Sequence, residues 1–390
     1  MALAPGGALV GQTGSQRSPS SLLLDLRHLS SVRAAIDRND PQWRPALDAL
    51  ERDARAALAL TAPSVMDKGV TPPSGDKHDY MSQAPYWWPD PAKPGGKPYI
   101  QRDGERNPEL KKISDHDNLG RVISAVSTLG LAYRLTDKPE YATQAARLVR
   151  VWFLDPATRM NPHLQYGQGI PGITDGRGIG IIETTGLPDL LDGVMAISGS
   201  PAWTARDQTG LHDWMRAYLT WLLESPHGRD EAKNGNNHET WYDVQVAALA
   251  IYADQPAIAR RTLEGARDRI ARQIEPDGRQ PRELARTRSW HYSIYNLTAF
   301  FNLAQLSDRM GLDLWHYQSK DGRSLRSALD FLVPFAAGDR PWPYPELTPF
   351  EPPELHRLLR RAAAAWEAPA YRALAGKIGG GSARLDLVVR

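Results

Sequence analysis

Apolar residues recur at three- and four-residue spacing along most of the chain after Leu22, with polar residues between them. That period predicts amphipathic helices. The first runs over 31–61 and is interrupted near Pro41 and Pro45, because proline lacks a donor and crowds the preceding turn. Further helices are expected over roughly 116–136, 139–154, 178–198, 204–224, 239–253, 256–273, 290–309, 323–337 and 352–375. Alternating β-branched runs are nearly absent, and the C-terminal LDLVVR is the one weak strand candidate. Short connections between helices favour antiparallel pairs. The expected fold is all-α, an incomplete (α/α) toroid or barrel of about ten or more helices with long rim loops. No fixed-period repeat is visible, which argues against a solenoid.

The domain reads as residues 26–378, with 379–390 as a C-terminal tail. Residues 1–25 read as a flexible leader rich in Gly, Ser, Ala and Pro, or as a remnant signal region. No basic segment precedes its apolar cluster, so a signal peptide is not demonstrated. Four segments lack helical periodicity: 62–115, 155–177, 225–238 and 338–350. Loops of such length are uncommon in compact domains and usually bind or cover a ligand. They are expected to share one rim.

Composition narrows the chemistry. The chain has 390 residues, 41% hydrophobic and 24% charged, which is ordinary for a globular protein. It has no cysteine, which excludes disulfides, thiolate metal sites and cysteine nucleophiles. No run of 18 apolar residues predicts a membrane span. The net charge of +2 is too small to point to nucleic acid. Of 47 basic residues 37 are Arg, which suits an anionic ligand and equally follows from a GC-rich genome. The 12 Trp and 14 Tyr outnumber the 6 Phe. Amphipathic rings in that excess suit a sugar-binding cleft or thick helix packing.

Three constellations carry candidate chemistry. Asn234-Gly235-Asn236-Asn237-His238-Glu239 is a turn entering a helix, with Asn236 and Glu239 spaced as a capping box. Asn237 and His238 fall at the helix N-terminus, where amides and dipole favour an anion and a neutral imidazole. A plain helix cap with a surface histidine fits the same residues. The stretch 282–295 gathers Arg282, Arg286, Arg288, His291, Tyr292 and Tyr295 where a loop enters a helix. A Tyr beside cationic Arg is expected to have its pKa lowered toward neutrality; core tyrosines and ion-paired arginines are the alternative. Finally, Tyr80 through Pro91 (YMSQAPYWWPDP) places Tyr86, Trp87 and Trp88 on a Pro-flanked loop. Stacking on sugar rings or plugging the toroid end would each use them. Gly176-Arg177-Gly178-Ile179-Gly180 follows no strand, so a dinucleotide site is not expected. Asn296-Leu297-Thr298 is a sequon inside an expected helix. His212 and His227 have no metal-ligand spacing.

These pieces resemble the alginate lyase superfamily of α/α-toroid polysaccharide lyases. YMSQAPYWWPDP, the Asn-Asn-His turn (236–238) and ELARTRSWHY (283–292) look most like the glucuronan lyase branch, polysaccharide lyase family thirty-eight, related to the family five alginate lyases. The resemblance covers about residues 60–350. It implies that Asn237, His238 and Arg286 neutralise a uronate carboxylate and that Tyr292 is the catalytic base and acid. The family five enzymes place the Tyr seven residues after the Arg, against six here, so Tyr295 is the alternative. Substrate contacts are implied for Tyr80, Tyr86, Trp87, Trp88, Gln165, Tyr166, Gln168, Arg177, Arg288, His291 and Tyr295.

The reaction so implied is syn β-elimination in a β-1,4-linked acidic polysaccharide, alginate or polymannuronate or glucuronan. It needs no cofactor and no metal. Neutralising the carboxylate stabilises the enolate-like charge that develops when the C5 proton leaves. A bacterial periplasmic or secreted enzyme is expected, acting on a polyuronate, without nucleic acid or membrane partners; oligomeric state stays open. The rivals are a toroid glycoside hydrolase drawing a carboxylate pair from Asp79, Asp115, Asp117 and Glu183, and a non-catalytic carbohydrate-binding protein.

Overall fold

A computed structural model gives the structure of residues 21–389. Residues 1–20 of the expected leader and residue 390 of the tail lie outside the described residues. Fourteen α-helices follow one another among the described residues. They are α1 (Leu26–Asp37), α2 (Arg44–Leu58), α3 (Asp115–Thr136), α4 (Pro139–Val149), α5 (Leu187–Ile197), α6 (Ala205–Glu224), α7 (Pro226–Glu231), α8 (Asn237–Tyr252), α9 (Pro256–Gln273), α10 (Pro281–Leu284), α11 (Ser289–Arg309), α12 (Leu325–Ala336), α13 (His356–Ala365) and α14 (Pro369–Ile378). Five of them begin on proline, whose missing N–H costs nothing in the first turn. Thr204 and Ser324 close capping boxes at α6 and α12.

Three expected helices are divided. The 31–61 segment breaks at Asn39, which has φ of 57°, and a short 3-10 turn follows from Pro41. The 178–198 segment starts as 3-10 helix over Gly178–Thr184 and becomes α5 beyond Gly186. The 352–375 segment divides where Glu367 turns left-handed before Pro369. The first three residues of the LDLVVR strand candidate instead end a 3-10 helix, Ala383–Leu387, whose Leu387 is buried and which packs on α2.

Helices pack with their neighbours in sequence: α3 on α2, α4 and α5, and α8 on α6, α9 and α11. The closest crossing is that of α3 on α5. A Cβ on Gly130 would lie 2.3 Å from the Gly193 carbonyl oxygen, and one on Gly193 would lie 2.5 Å from that of Val126. Glycine at both positions lets the two backbones touch. From Glu239 to Tyr252 every residue of α8 is buried. A helix enclosed on all sides shows little one-sided periodicity, and α8 is a central stave on which the site is mounted.

Residues 21–25, expected as the end of a flexible leader, are fixed instead. The Leu22 and Leu23 amides donate to Asp192, and Arg309 donates to the Leu22 carbonyl at 3.2 Å. The 62–115 loop is knitted internally. Lys68, fully buried, donates to the Val65 and Lys77 carbonyls at 2.6 and 2.7 Å and pairs with Asp115 at 2.9 Å. Short strand β1 (Met81–Gln83) runs parallel to β4 (Tyr166–Gly169), joining this loop to the 155–177 loop. β2 (Trp87–Trp88) and β3 (Ile100–Gln101) form an antiparallel hairpin.

Candidate active site

A cleft of about 920 Å³ opens where three of the four long loops meet the N-termini of α3, α8 and α11. The fourth loop braces it from behind. Pro345 accepts from the Ser289 amide, and Glu346 accepts from that of Trp290 at 2.9 Å.

One wall is the start of α8. Gly235, at φ of 72°, turns the chain, and the Asn236 side chain accepts from the His238 amide. The expected capping box is only half made. Glu239 does not return to Asn236; it accepts from Arg269 and Gln273 instead. Asn237 is buried and held by one carboxylate: its backbone amide and its Nδ2 donate to the two oxygens of Glu283 at 2.7 and 2.8 Å. Its Oδ1 is buried without a partner among the described residues. Burial pushes the Glu283 carboxyl up, against the two bonds from Asn237 that favour its charge. His238 points Nδ1 at Glu231, 2.7 Å away, and Asn234 donates to the other oxygen of that buried carboxylate. A carboxylate at Nδ1 fixes the ring tautomer and leaves Nε2 for the cleft.

The facing wall comes from the turn before α11 and its first turns. The Arg286 guanidinium carbon lies 3.7 Å from the centre of the Tyr292 ring. The Tyr292 hydroxyl is 2.9 Å from that of Tyr86, which the aromatic loop delivers. The pKa expectation is overturned. Burial pushes Tyr292 well above the ordinary phenol range; Arg286 pulls it down, while Tyr86 and Asp103 add to the rise. Desolvation exceeds the attraction of an arginine that already carries a counterion. Arg286 donates through Nε and Nη2 to Asp103, at 3.1 and 2.7 Å. Tyr295 is raised as well, by burial, and its ring sits 4.9 Å from that of Trp241 and stacks on His291.

Of the expected substrate contacts, Tyr86, Trp87, Gln168, Arg177, His291 and Tyr295 line the cleft with the four expected catalytic residues. Arg177 donates to Gln168 at 2.8 Å, and its Nε is buried and unpartnered among the described residues. Five do not line it. Tyr80 is fully buried and donates to Glu183, so no sugar can reach its ring. Trp88 donates to the Glu105 carbonyl and carries Arg102 over its ring. Gln165 binds His227 outside the cleft, Tyr166 pairs through its backbone with Met81, and Arg288 stands at the N-cap position of α11, bridged through its backbone to Glu346. Local bonds hold the side chains of Tyr80, Trp88 and Gln165.

The weaker motifs also resolve. Gly176 and Gly180 are close-packing positions, since a Cβ at Gly176 would lie 2.0 Å from the Gln165 carbonyl oxygen and one at Gly180 would lie 2.6 Å from that of Gly167. Asn296 of the sequon is buried and donates to Gln273 and Gln280. Among the carboxylates weighed for hydrolysis, Asp79 is held by Ser74, Asn161 and His163, and Asp115 by Lys68. Glu183, in the cleft, accepts from Tyr80 and Ser82, both at 2.6 Å. Sequence reading passed over Asp103, Glu231 and Glu283. The only trace was the position of Glu283 three residues before Arg286.

Residues 64–342 match the model of the family described as Alginate lyase. The chain belongs to the alginate lyase family. It is similar to an alginate lyase from Bacteroides ovatus, 40% identical over 94% of this chain and 98% of that one, with a TM-score of 0.91. Alginate lyase A1-III from Sphingomonas species A1 shares the fold at 18% identity, over 95% of this chain and 96% of that one, with a TM-score of 0.57. A histidine-to-alanine variant of A1-III complexed with tetrasaccharide gives 17% identity, 96% of both chains and a TM-score of 0.59. No curated protein matches significantly. As a member of this family the protein is a polysaccharide lyase, a carbon–oxygen lyase with the α/α-toroid fold. No helix among the described residues is long and apolar enough to cross a membrane.

Proposed function

We propose that this lyase depolymerises alginate, in its mannuronate blocks first, by syn β-elimination. The observation that carries the reading is the meeting of Tyr292 and Arg286 with Asn237 and His238 in one cleft. The uronate carboxylate sits against Asn237, His238 and Arg286, and charge gathers on it as the C5 proton leaves. Tyr292 takes that proton and returns it to the leaving O4. In β-linked mannuronate both lie on one ring face, so a single residue serves both steps. Burial keeps Tyr292 protonated in the empty cleft, so the phenolate is a minor and strongly basic species. Arg286 against its ring is the group that favours it. Tyr292 is preferred to Tyr295 as base because Arg286 lies against its ring.

Further support comes from alginate lyase A1-III. Its tetrasaccharide complexes were made with a histidine and a tyrosine replaced. Those two positions are as many residues apart in that chain as His238 and Tyr292 are in this one. Mannuronate and glucuronate differ at C2, away from these groups, so glucuronan is the alternative polymer. Trp87, Gln168, Arg177 and His291 are the proposed sugar contacts. A periplasmic or secreted location accompanies this reading of the substrate.

The test is incubation with polymannuronate, polyguluronate and glucuronan, following the ultraviolet absorbance of the unsaturated uronate. Absorbance rising fastest on polymannuronate is expected. New reducing ends without that chromophore would make the protein a hydrolase and overturn the reading.

A further inference from the structure

Arg286 meets a substrate with only one of its two bidentate edges. Its Nε and Nη2 edge is filled by Asp103, in a bidentate pair at 3.1 and 2.7 Å. Bidentate arginine–carboxylate pairs fix the plane of the guanidinium as well as its place. Here the guanidinium lies over the Tyr292 ring, 3.7 Å from guanidinium carbon to ring centre. Nη1 is without a partner among the described residues, and with the second hydrogen of Nη2 it makes the outer edge of the guanidinium.

Asp103 is itself held in place. The Thr287 hydroxyl donates to its carboxylate at 3.0 Å. Gly104, at φ of 81°, turns the chain so tightly against Thr287 that a Cβ would lie 2.6 Å from that hydroxyl oxygen. The Arg102 amide bonds to the Tyr86 carbonyl across the hairpin. One hairpin therefore delivers Tyr86 to Tyr292 and Asp103 to Arg286.

We propose that Asp103 is a positioning residue for the elimination: it occupies the Nε and Nη2 edge of Arg286, holds the guanidinium over the Tyr292 ring, and leaves the uronate carboxylate only the outer Nη1 and Nη2 edge. The inference rests on the polyuronate reading above. It divides the labour in the cleft. Asn237 and His238 carry most of the carboxylate binding, and Arg286 serves the base. Confining Arg286 to its outer edge limits the binding energy it spends on the ground state, where that energy would not speed the reaction.

Asp103→Asn tests this, because it keeps the shape and the Thr287 contact but gives up the charge pair. Arg286 is then released to turn away from Tyr292 and grip the substrate carboxylate. The expected result is a split: KM for polymannuronate falls about tenfold, the worth of one charge-assisted bond, and kcat falls about tenfold or more as Arg286 leaves Tyr292. In the inactive Tyr292→Phe background, the same change tightens binding of mannuronate oligomers by a similar factor. A hairpin staple and nothing more would raise KM, leave kcat alone and lower the unfolding temperature; that result overturns the proposal, as does unchanged kinetics. Asp103→Ser is the second variant if the amide disturbs the turn, and the same split is expected of it. Wild-type enzyme that makes no unsaturated product fails the functional reading. Wild-type enzyme that makes it, beside an Asp103→Asn variant without the split, fails this inference alone.

Discussion

Replacing Glu283 by glutamine tests how the cleft holds Asn237. The carboxylate accepts twice from that residue, from its backbone amide at 2.7 Å and from Nδ2 at 2.8 Å. Glutamine can accept through one oxygen only; its NH2 would face the other donor. The side-chain amide of Asn237 must then rotate, turning Oδ1 toward the glutamine and Nδ2 to where the unpartnered Oδ1 now lies. The loss of one charge-assisted bond costs about 1.5–3 kcal/mol. Removing a buried charge offsets part of that, so unfolding free energy should change by no more than about 2 kcal/mol. The kinetic cost is larger. A misdirected group at the site of developing charge costs on the order of 100-fold in kcat, and that drop is expected on polymannuronate. Stability carries a second signature. Burial raises the Glu283 pKa, so its ionisation opposes folding and wild-type stability declines as pH rises from the unfolded value through the folded one. Glutamine has no such loss. Glu283→Gln should therefore gain on wild type as pH increases, measured by urea unfolding across the acidic range. A variant with kcat within twofold of wild type, or one that loses ground with rising pH, would refute the argument.

Three other outcomes are expected. Tyr292→Phe removes the proton carrier but keeps the ring under Arg286; kcat should fall by about 1,000-fold or more with KM little changed, whereas Tyr295→Phe should cost less than about tenfold in the same ultraviolet assay. Trp87→Ala should raise KM about 2- to 12-fold, the worth of one aromatic contact, while Trp88→Ala, outside the cleft, should leave KM alone. Gly130→Ala sets a methyl against the Gly193 carbonyl, 2.3 Å away; it should destabilise by about 3 kcal/mol or more in chemical unfolding without altering kcat per folded molecule.

Much of the site was legible along the chain because its parts lie at element boundaries. Asn237 and His238 open α8, and Arg286 and Tyr292 sit on either side of the start of α11. Residue types that leave a helical pattern at its ends stand out in a sequence. The aromatic loop stood out too, and two of its three rings reach the cleft. What misled was the assumption that every unusual residue in such a segment points the same way. Tyr80 is buried against Glu183, and Trp88 lies under Arg102. A strand alternates its faces, and a loop as short as YMSQAPYWW already contains two of them.

Helical periodicity, the breaks at proline and glycine, and the identities of the amide, imidazole, guanidinium and phenol are properties of local sequence, and they determined the fold class and the class of chemistry. Periodicity reports only which side of an element is apolar. The pairing of Asp103 with Arg286 spans 183 residues, and nothing in either neighbourhood announces the other. The direction of the Tyr292 shift is likewise invisible from sequence. Arginine nearby argues for a lowered pKa, but the loss of water around the phenol and the aspartate already on that arginine decide the opposite. Desolvation and long-range ion pairing exist only once the chain has closed on itself, so the tertiary structure alone settled how these groups act on one another.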